Sequence, residues 1–230
     1  MVLRQKELFK NIVEEYIKTA QPVGSKLIVE RFNPDISPAT VRNNMREIEE
    51  DGLIFSPHTS AGRIPTEKGY KIYIAEYIDL NKELSLKELE EIEKFGNSAS
   101  GGKEIKDIEN KIKDLAKILA EKSGLGVFIG FAKNNVYYTG LSNIFSQPEF
   151  QDLNLIQNIS EVIDHLDEVM EKIYDQTSET QIKIGSDNLF SSECSAIMAK
   201  FKNILIGIIG PMRMNYQYNI KLINFVKNII

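Results

Sequence analysis

The chain has 230 residues, 42% hydrophobic and 27% charged, the balance of a folded protein with room for one large domain or two small ones. No apolar run nears the ~18 residues of a membrane span, and the start is charged at once (Arg4, Lys6, Glu7), without a hydrophobic leader core. One cysteine and two histidines make neither an internal disulfide nor a good metal cage, and the formal charge of −5 weighs against nucleic acid, because phosphate binding needs cationic surface.

A cytoplasmic chain without metal or cofactor is therefore expected. Leu8, Ile12, Val13, Tyr16 and Ile17 recur at helical spacing and predict a first helix ending near Thr19. Pro22-Val-Gly-Ser25 breaks the chain, and Ser25 can cap a short second helix with Ile28 and Phe32 on one face. After the Asn33-Pro-Asp35 turn comes the best-marked helix start. Ser37 stands at the N-cap and Pro38 at the first helical position, where its missing N–H costs nothing; Ile36 and Val41 have the spacing of a hydrophobic staple. Gly52 ends this third helix. Leu53-Ile-Phe55 and Arg63-Ile64 around the Ser60-Ala-Gly62 turn predict a hairpin, and Tyr70, Tyr73, Ile74 and Tyr77 a further helix from Thr66. This is the outline of a helix-turn-helix with a wing.

Residues 81–123 read as a helical linker. Ser85 and Glu88 have capping-box spacing, residues 96–102 are rich in Gly and Ser, and Ile105, Ile108, Ile112, Leu115 and Leu119 form one apolar stripe. The stripe is too short for a convincing coiled-coil seam, so packing on a neighbouring domain is expected. Beyond it, Val127–Phe131 and Val136–Thr139 around Asn134-Asn135 predict a hairpin, and residues 153–174 show helical spacing. Residues 182–184, 195–201 and 204–209 are strand candidates, and residues 219–229 a closing helix. The expected class is α+β: a winged helix-turn-helix over 1–80, the linker over 81–123, and a mixed α/β domain over 124–230.

On the third helix, Val41, Met45 and Ile48 share the packed face, while Ala39, Arg42, Asn43, Arg46 and Glu50 lie opposite, with Thr40 nearer the packed side. In a helix-turn-helix the residues near this helix start meet base edges; arginine suits guanine and asparagine suits adenine. The plainer reading is a solvated face with an Arg46–Glu50 ion pair, but beside a turn and a wing the DNA reading ranks higher. Ser37, Ala39, Thr40, Arg42, Asn43 and Arg46 are the helix candidates. His58, Thr59, Ser60, Arg63 and Lys68 are the candidates on and beside the wing, where hydroxyls suit phosphates and an arginine can enter a narrow minor groove; a lone histidine more often bonds within its own loop. Residues 1–80 hold 11 Lys/Arg against 12 Asp/Glu. The charge objection thus turns on distribution, with Glu47, Glu49, Glu50 and Asp51 gathered at the far end of the third helix.

Pro22-Val-Gly-Ser25, Ser37-Pro-Ala-Thr-Val-Arg-Asn43, Glu49-Glu-Asp-Gly-Leu53 and Pro57-His-Thr-Ser-Ala-Gly-Arg-Ile-Pro-Thr66 resemble the HrcA family of bacterial heat-inducible transcription repressors. So do Gln147-Pro-Glu-Phe150, Ile184-Gly-Ser-Asp-Asn188 and Gly210-Pro-Met-Arg-Met-Asn-Tyr216 further on. The resemblance implies a winged helix joined to a GAF-like domain, a homodimer on an inverted-repeat operator in double-stranded DNA upstream of chaperone genes, and a GroE-type chaperonin as partner, with release on heat stress. Members typically carry a dimerisation domain inserted in the GAF-like part. Here Gly124-Leu-Gly-Val-Phe-Ile-Gly130 leads so soon to Gln147 that no such insert fits, and the GAF-like domain is expected to be truncated.

Two other functions are suggested by single features of the chain. A small-molecule sensor would place an anion at Gly210-Pro-Met-Arg213, although a strand-to-helix corner explains the same residues more simply. An enzyme is the weakest reading: the chain has no P-loop, GxSxG, HExxH or Cys-pair motif, His165 has Asp164 and Asp167 pointing other ways on a helix, and Cys194 suits a small core position.

Overall fold

A computed structural model describes residues 3–32, 35–58, 61–96, 105–151, 156 and 166–229. It divides into two compact units, Met1–Ile78 and Asp79–Ile230.

The first unit contains α1 (Leu3–Thr19), α2 (Ser25–Phe32), α3 (Pro38–Glu50), a two-stranded hairpin of β1 (Ile54–Phe55) and β2 (Ile64–Pro65), and α4 (Glu67–Tyr77). The helical periodicity maps onto burial. Leu8, Ile12 and Val13 of α1, joined by Phe9, are buried with Ile28 of α2 and Val41, Met45 and Ile48 of α3, whereas Phe32, at the end of α2, is exposed. Ser37 adopts extended backbone and its Oγ accepts the Thr40 N–H at 3.1 Å, a cap of about 1 kcal/mol. Glu15 is buried on α1 and is held by the Arg31 guanidinium of α2, so the charge is paired as burial requires.

The second strand of the hairpin is Ile64–Pro65, one residue later than the Arg63-Ile64 expected. Ile54 pairs with Pro65 and Phe55 with Ile64. Arg63 instead exchanges both backbone hydrogen bonds, each 2.9 Å, with Val23 in the α1–α2 connection. Gly62 makes this possible, because a Cβ there would lie 2.4 Å from the Val23 carbonyl carbon. At the other arm, Thr66 caps α4 by accepting from the Gly69 N–H at 3.0 Å, while its hydroxyl donates to the Gly52 carbonyl at 2.7 Å.

The second unit is a five-stranded antiparallel sheet with helices on both faces, an α+β arrangement. Its elements are α5 (Leu86–Gly96), α6 (Ile105–Ser123), β3 (Gly126–Ala132), β4 (Asn135–Thr139), α7 (Leu141–Phe145), a 3-10 turn (Pro148–Gln151), α8 (Leu166–Gln176), β5 (Gln181–Ile184), a second 3-10 turn (Gly185–Asp187), β6 (Cys194–Phe201), β7 (Ile204–Pro211) and α9 (Tyr216–Ile229). The strand order is β4-β3-β7-β6-β5. Alternation sorts the side chains: Phe128, Cys194, Ala196, Met198, Leu205 and Ile209 face a core completed by Ile144 of α7 and Met170 and Ile173 of α8. Neighbouring strand positions turn the other way, towards α6 and α9.

Residues 81–123, expected as a linker, thus include two helices of the second unit, and α6 buries Ile112, Ala116 and Leu119 against it. The β3–β4 turn falls at Lys133-Asn134, one residue earlier than expected, after a bulge between Gly130 and Ala132. The short α7 had no periodic signal. Of the expected helix over 153–174, only Ile156 and the part from Leu166 are described, and Asp164 and His165 lie outside the described residues, as do residues 97–102 of the Gly/Ser-rich stretch. No described helix is long and apolar enough to cross a membrane, and no cluster of metal-ligating side chains occurs among the described residues.

Candidate nucleic-acid interface

The outer face of α3 follows from its inner one. With Val41, Met45 and Ile48 buried, the helical repeat turns Ala39, Arg42, Asn43 and Arg46 outward, and all four are exposed, as is Thr40. A groove of about 770 Å³ runs beside this face, with Arg42, Asn43, Arg46 and Glu49 along one wall, Gly24, Ser25 and Lys26 at the start of α2, and Gly62 and Arg63 of the hairpin opposite. The N–H groups at the start of α2 carry positive partial charge, so the walls combine cations with a helix N-terminus, a setting for anions.

Partners distinguish the cations. Arg42 and Lys26 have no side-chain partner among the described residues, and neither does Asn43. Arg46 pairs with Glu50 at 3.1 Å, but both side chains are largely exposed, and such i, i+4 pairs contribute about 0.3–0.5 kcal/mol. Arg63 is held more firmly. Its Nε donates to Glu49 Oε2 at 2.9 Å and its Nη1 to the Ala61 carbonyl at 3.4 Å, while Glu49 Oε1 accepts the Ser56 N–H at 3.0 Å. Lys68 lies at the far end of α3, where its Nζ donates to the Asp51 carbonyl at 2.7 Å; 13 residues at ~1.5 Å each separate that end from Ser37 by roughly 20 Å. His58 is exposed, and its carbonyl accepts the Ser56 hydroxyl and the Ala61 N–H. Thr59 and Ser60 lie outside the described residues.

Of the eleven sequence candidates, the structure therefore groups Arg42, Asn43, Arg46 and Arg63 about one groove, leaves Ser37, Ala39 and Thr40 at the start of α3, and sets Lys68 apart. Sequence reasoning missed Lys26, because nothing local marks a lysine at the start of α2 as a neighbour of α3. It also placed Glu49 among the distant acids, when its carboxylate joins the hairpin to α3.

The anion reading of Gly210-Pro-Met-Arg213 meets a different environment. Arg213 donates from Nη2 to Gln147 Oε1 at 2.9 Å and to Glu149 Oε2 at 3.2 Å, and from Nε to Glu149 Oε1, so the two motifs close on each other. Gln147 in turn donates to the Gly124 carbonyl at 3.1 Å. A separate apolar cavity of about 30 Å³, lined by Phe128, Tyr138, Ile144, Phe190 and Cys194 among others, has room for little more than a water molecule. Burial pushes the Cys194 thiol up to about 12, which keeps it protonated and unreactive near neutrality.

Residues 71–220 match the family model described as the HrcA protein C terminal domain. The heat-inducible transcription repressor HrcA of Natranaerobius thermophilus is 25% identical over 325 residues, covering 98% of this chain and 94% of that relative. The repressor HrcA of Thermoanaerobacter pseudethanolicus is 26% identical over 320 residues, covering 96% and 93%. Both aligned stretches exceed the 230 residues of this chain, so these relatives carry segments with no counterpart here. Over 118 residues, 51% of this chain and 33% of the relative, identity to the Acidothermus cellulolyticus repressor HrcA reaches 42%. A solved structure described only as a hypothetical protein at 2.2 Å resolution shares the fold, with a TM-score of 0.70 at 18% identity over 99% of this chain and 97% of that one.

Proposed function

The chain belongs to the HrcA family, and from that premise we propose that it is a DNA-binding repressor of heat-shock transcription rather than an enzyme. In this reading the first unit is a winged helix-turn-helix, with α3 in the major groove and the hairpin as wing. Arg42 and Asn43 read base edges, Arg46 follows them along the groove, and Ser37, Ala39 and Thr40 bring the helix start close to the phosphate backbone. His58, Thr59, Ser60, Arg63 and Lys68 provide flanking contacts. The second unit, a GAF-like domain without the family insert, serves regulation and pairing of two copies on an inverted-repeat operator in double-stranded DNA. A GroE-type chaperonin supports the active form in the cytoplasm, heat releases it, and no cofactor takes part.

The observation that carries the proposal is the exposed Arg42-Asn43 pair, without side-chain partners among the described residues, on the outer face of a capped helix above a groove bordered by a second helix N-terminus. Two hydrogen-bonding side chains of the kinds that read guanine and adenine stand where a docked helix needs them. The competing sensor reading is not favoured, since Arg213, its proposed anion donor, already bonds Glu149 and Gln147. The test is a gel shift on inverted-repeat DNA from chaperone promoters with wild type, Arg42→Ala and Arg63→Ala. Loss of affinity in both variants is expected. Unchanged binding in both overturns the proposed contact surface.

A further inference from the structure

The hairpin is too small to orient itself. Each strand has two residues, and hairpins of that size are not stable alone, so its angle to α3 must come from ties to its surroundings. Among the described residues these include the Val23–Arg63 backbone pair, the Thr66 hydroxyl on the Gly52 carbonyl, and Glu49. Of these, Glu49 joins the hairpin to α3 through a charge. One oxygen of the Glu49 carboxylate takes the Ser56 N–H, just after β1, and the other takes the Arg63 Nε, just before β2. A single side chain on the last turn of a rigid helix therefore holds both arms.

A carboxylate in an anion-binding groove opposes phosphate by simple Coulomb repulsion. The geometry offers a reason for it to be there. An arginine fork has five donors, and using Nε for Glu49 fixes the guanidinium plane while leaving N–H groups of the terminal nitrogens for a further acceptor. The pair is partly buried, with side-chain exposures of 25% for Arg63 and 30% for Glu49, so it is less screened than the Arg46–Glu50 pair on the open face.

Resting on the repressor reading above, we infer that Glu49 is the positioning residue of this interface: it acts through Arg63 to set the angle of the hairpin and the free edge of the guanidinium, and so raises the preference for operator over other DNA. Electrostatics alone and positioning predict opposite signs for its neutralisation. Removing a negative charge from the groove should tighten binding to every duplex, whereas losing the clamp should weaken operator binding and leave other DNA bound as well as before or better.

Fluorescence anisotropy on full-length protein separates the two, using an operator duplex and a scrambled duplex of equal length with wild type, Glu49→Gln, Arg63→Ala and the double variant. Glu49→Gln is expected to lose about 3–10-fold on operator and nothing on the scrambled duplex, and the double variant to match Arg63→Ala within 2-fold. Should Glu49→Gln fail to fold by circular dichroism, Arg63→Lys keeps the cation but not the fork, and the same selective loss is expected. Operator affinity equal to or above wild type in Glu49→Gln, or losses that multiply in the double variant, overturns the inference alone. Wild type without preference for operator overturns the repressor reading and this inference together.

Discussion

Replacing Gly62 by alanine puts the joint between the hairpin and the helices under direct strain. The added Cβ would stand 2.4 Å from the Val23 carbonyl carbon, 2.5 Å from its oxygen and 2.7 Å from the Pro22 carbonyl carbon. Ordinary carbon contacts begin near 3.5 Å, so one backbone must retreat by about 1 Å. No flexible side chain is there to yield, and Val23 is fully buried. A shift of that size breaks the two 2.9 Å bonds between Val23 and Arg63, each worth about 0.5–1.5 kcal/mol. The expected destabilisation is about 2 kcal/mol, or a fall of roughly 8–16 °C in the melting temperature of a unit this small. Urea and thermal unfolding followed by circular dichroism measure it, and operator anisotropy should fall in parallel because Arg63 moves with its strand. A cost below about 0.5 kcal/mol with unaltered DNA binding would refute the claim that this close approach holds the hairpin.

Further outcomes follow from local geometry. Ser37→Ala removes the acceptor of the Thr40 N–H and should cost about 1 kcal/mol in urea unfolding, with Ser37→Asp recovering most of it. Gly207→Ala places a Cβ 2.1 Å from the Phe128 ring on the paired strand, so the sheet should lose about 1–3 kcal/mol, partly regained by adding Phe128→Leu. Glu88 is held down to about 2, first by hydrogen bonds from the Ser85 hydroxyl and backbone N–H and then by Lys221. Its contribution to stability is therefore complete above the ordinary carboxylate value of 4.5 and disappears as the pH falls from there towards 2. Unfolding measured across that window should show a shallower acid loss in Glu88→Gln than in wild type.

Much of the first unit could be read from the chain because its signals are local. Ser37 and Pro38 mark a helix start through backbone chemistry, Gly52 an end through its φ of +72°, and Val41, Met45 and Ile48 a buried face through a period that depends on nothing else. The register of the hairpin was not readable, because it depends on Val23, forty residues away, and on the space that Gly62 leaves for it. The same holds for the site. Arg42 and Asn43 were visible as an outward pair on one helix, whereas Glu49 as a clamp and Lys26 as a neighbour need the packing of α2 and the hairpin on α3. In the second unit, residues 204–209 were recognisable as a strand from their apolar run. The five-residue α7 was not, since one buried side chain, Ile144, sets no period.

The formal charge of −5 finally becomes a quantitative statement about binding. Acids beside α3 do not cancel the cations uniformly: Glu50 holds Arg46 loosely in solvent, Glu49 holds Arg63 tightly, and among the described residues Arg42 and Lys26 are left without side-chain partners. A phosphate can compete for Arg46 at a cost of about 0.3–0.5 kcal/mol, so Arg46 and Lys26 are available to phosphate while Arg63 keeps its carboxylate and Arg42 faces the bases. Each phosphate neutralised contributes about −0.9 to the slope of log affinity against log salt, which gives roughly −2 for these two cations. Lys26→Ala should reduce that slope by about one, whereas Arg42→Ala should mainly relax the preference for one sequence over another. Arg63→Ala should reduce the slope less than Lys26→Ala, because that guanidinium already faces a negative charge. Anisotropy titrations between 50 and 300 mM salt, about the range over which such slopes are read, decide the matter. A slope near −6 for one copy of the chain would mean that the paired lysines and arginines all reach phosphate, and that the local pairing seen around α3 does not govern binding to DNA.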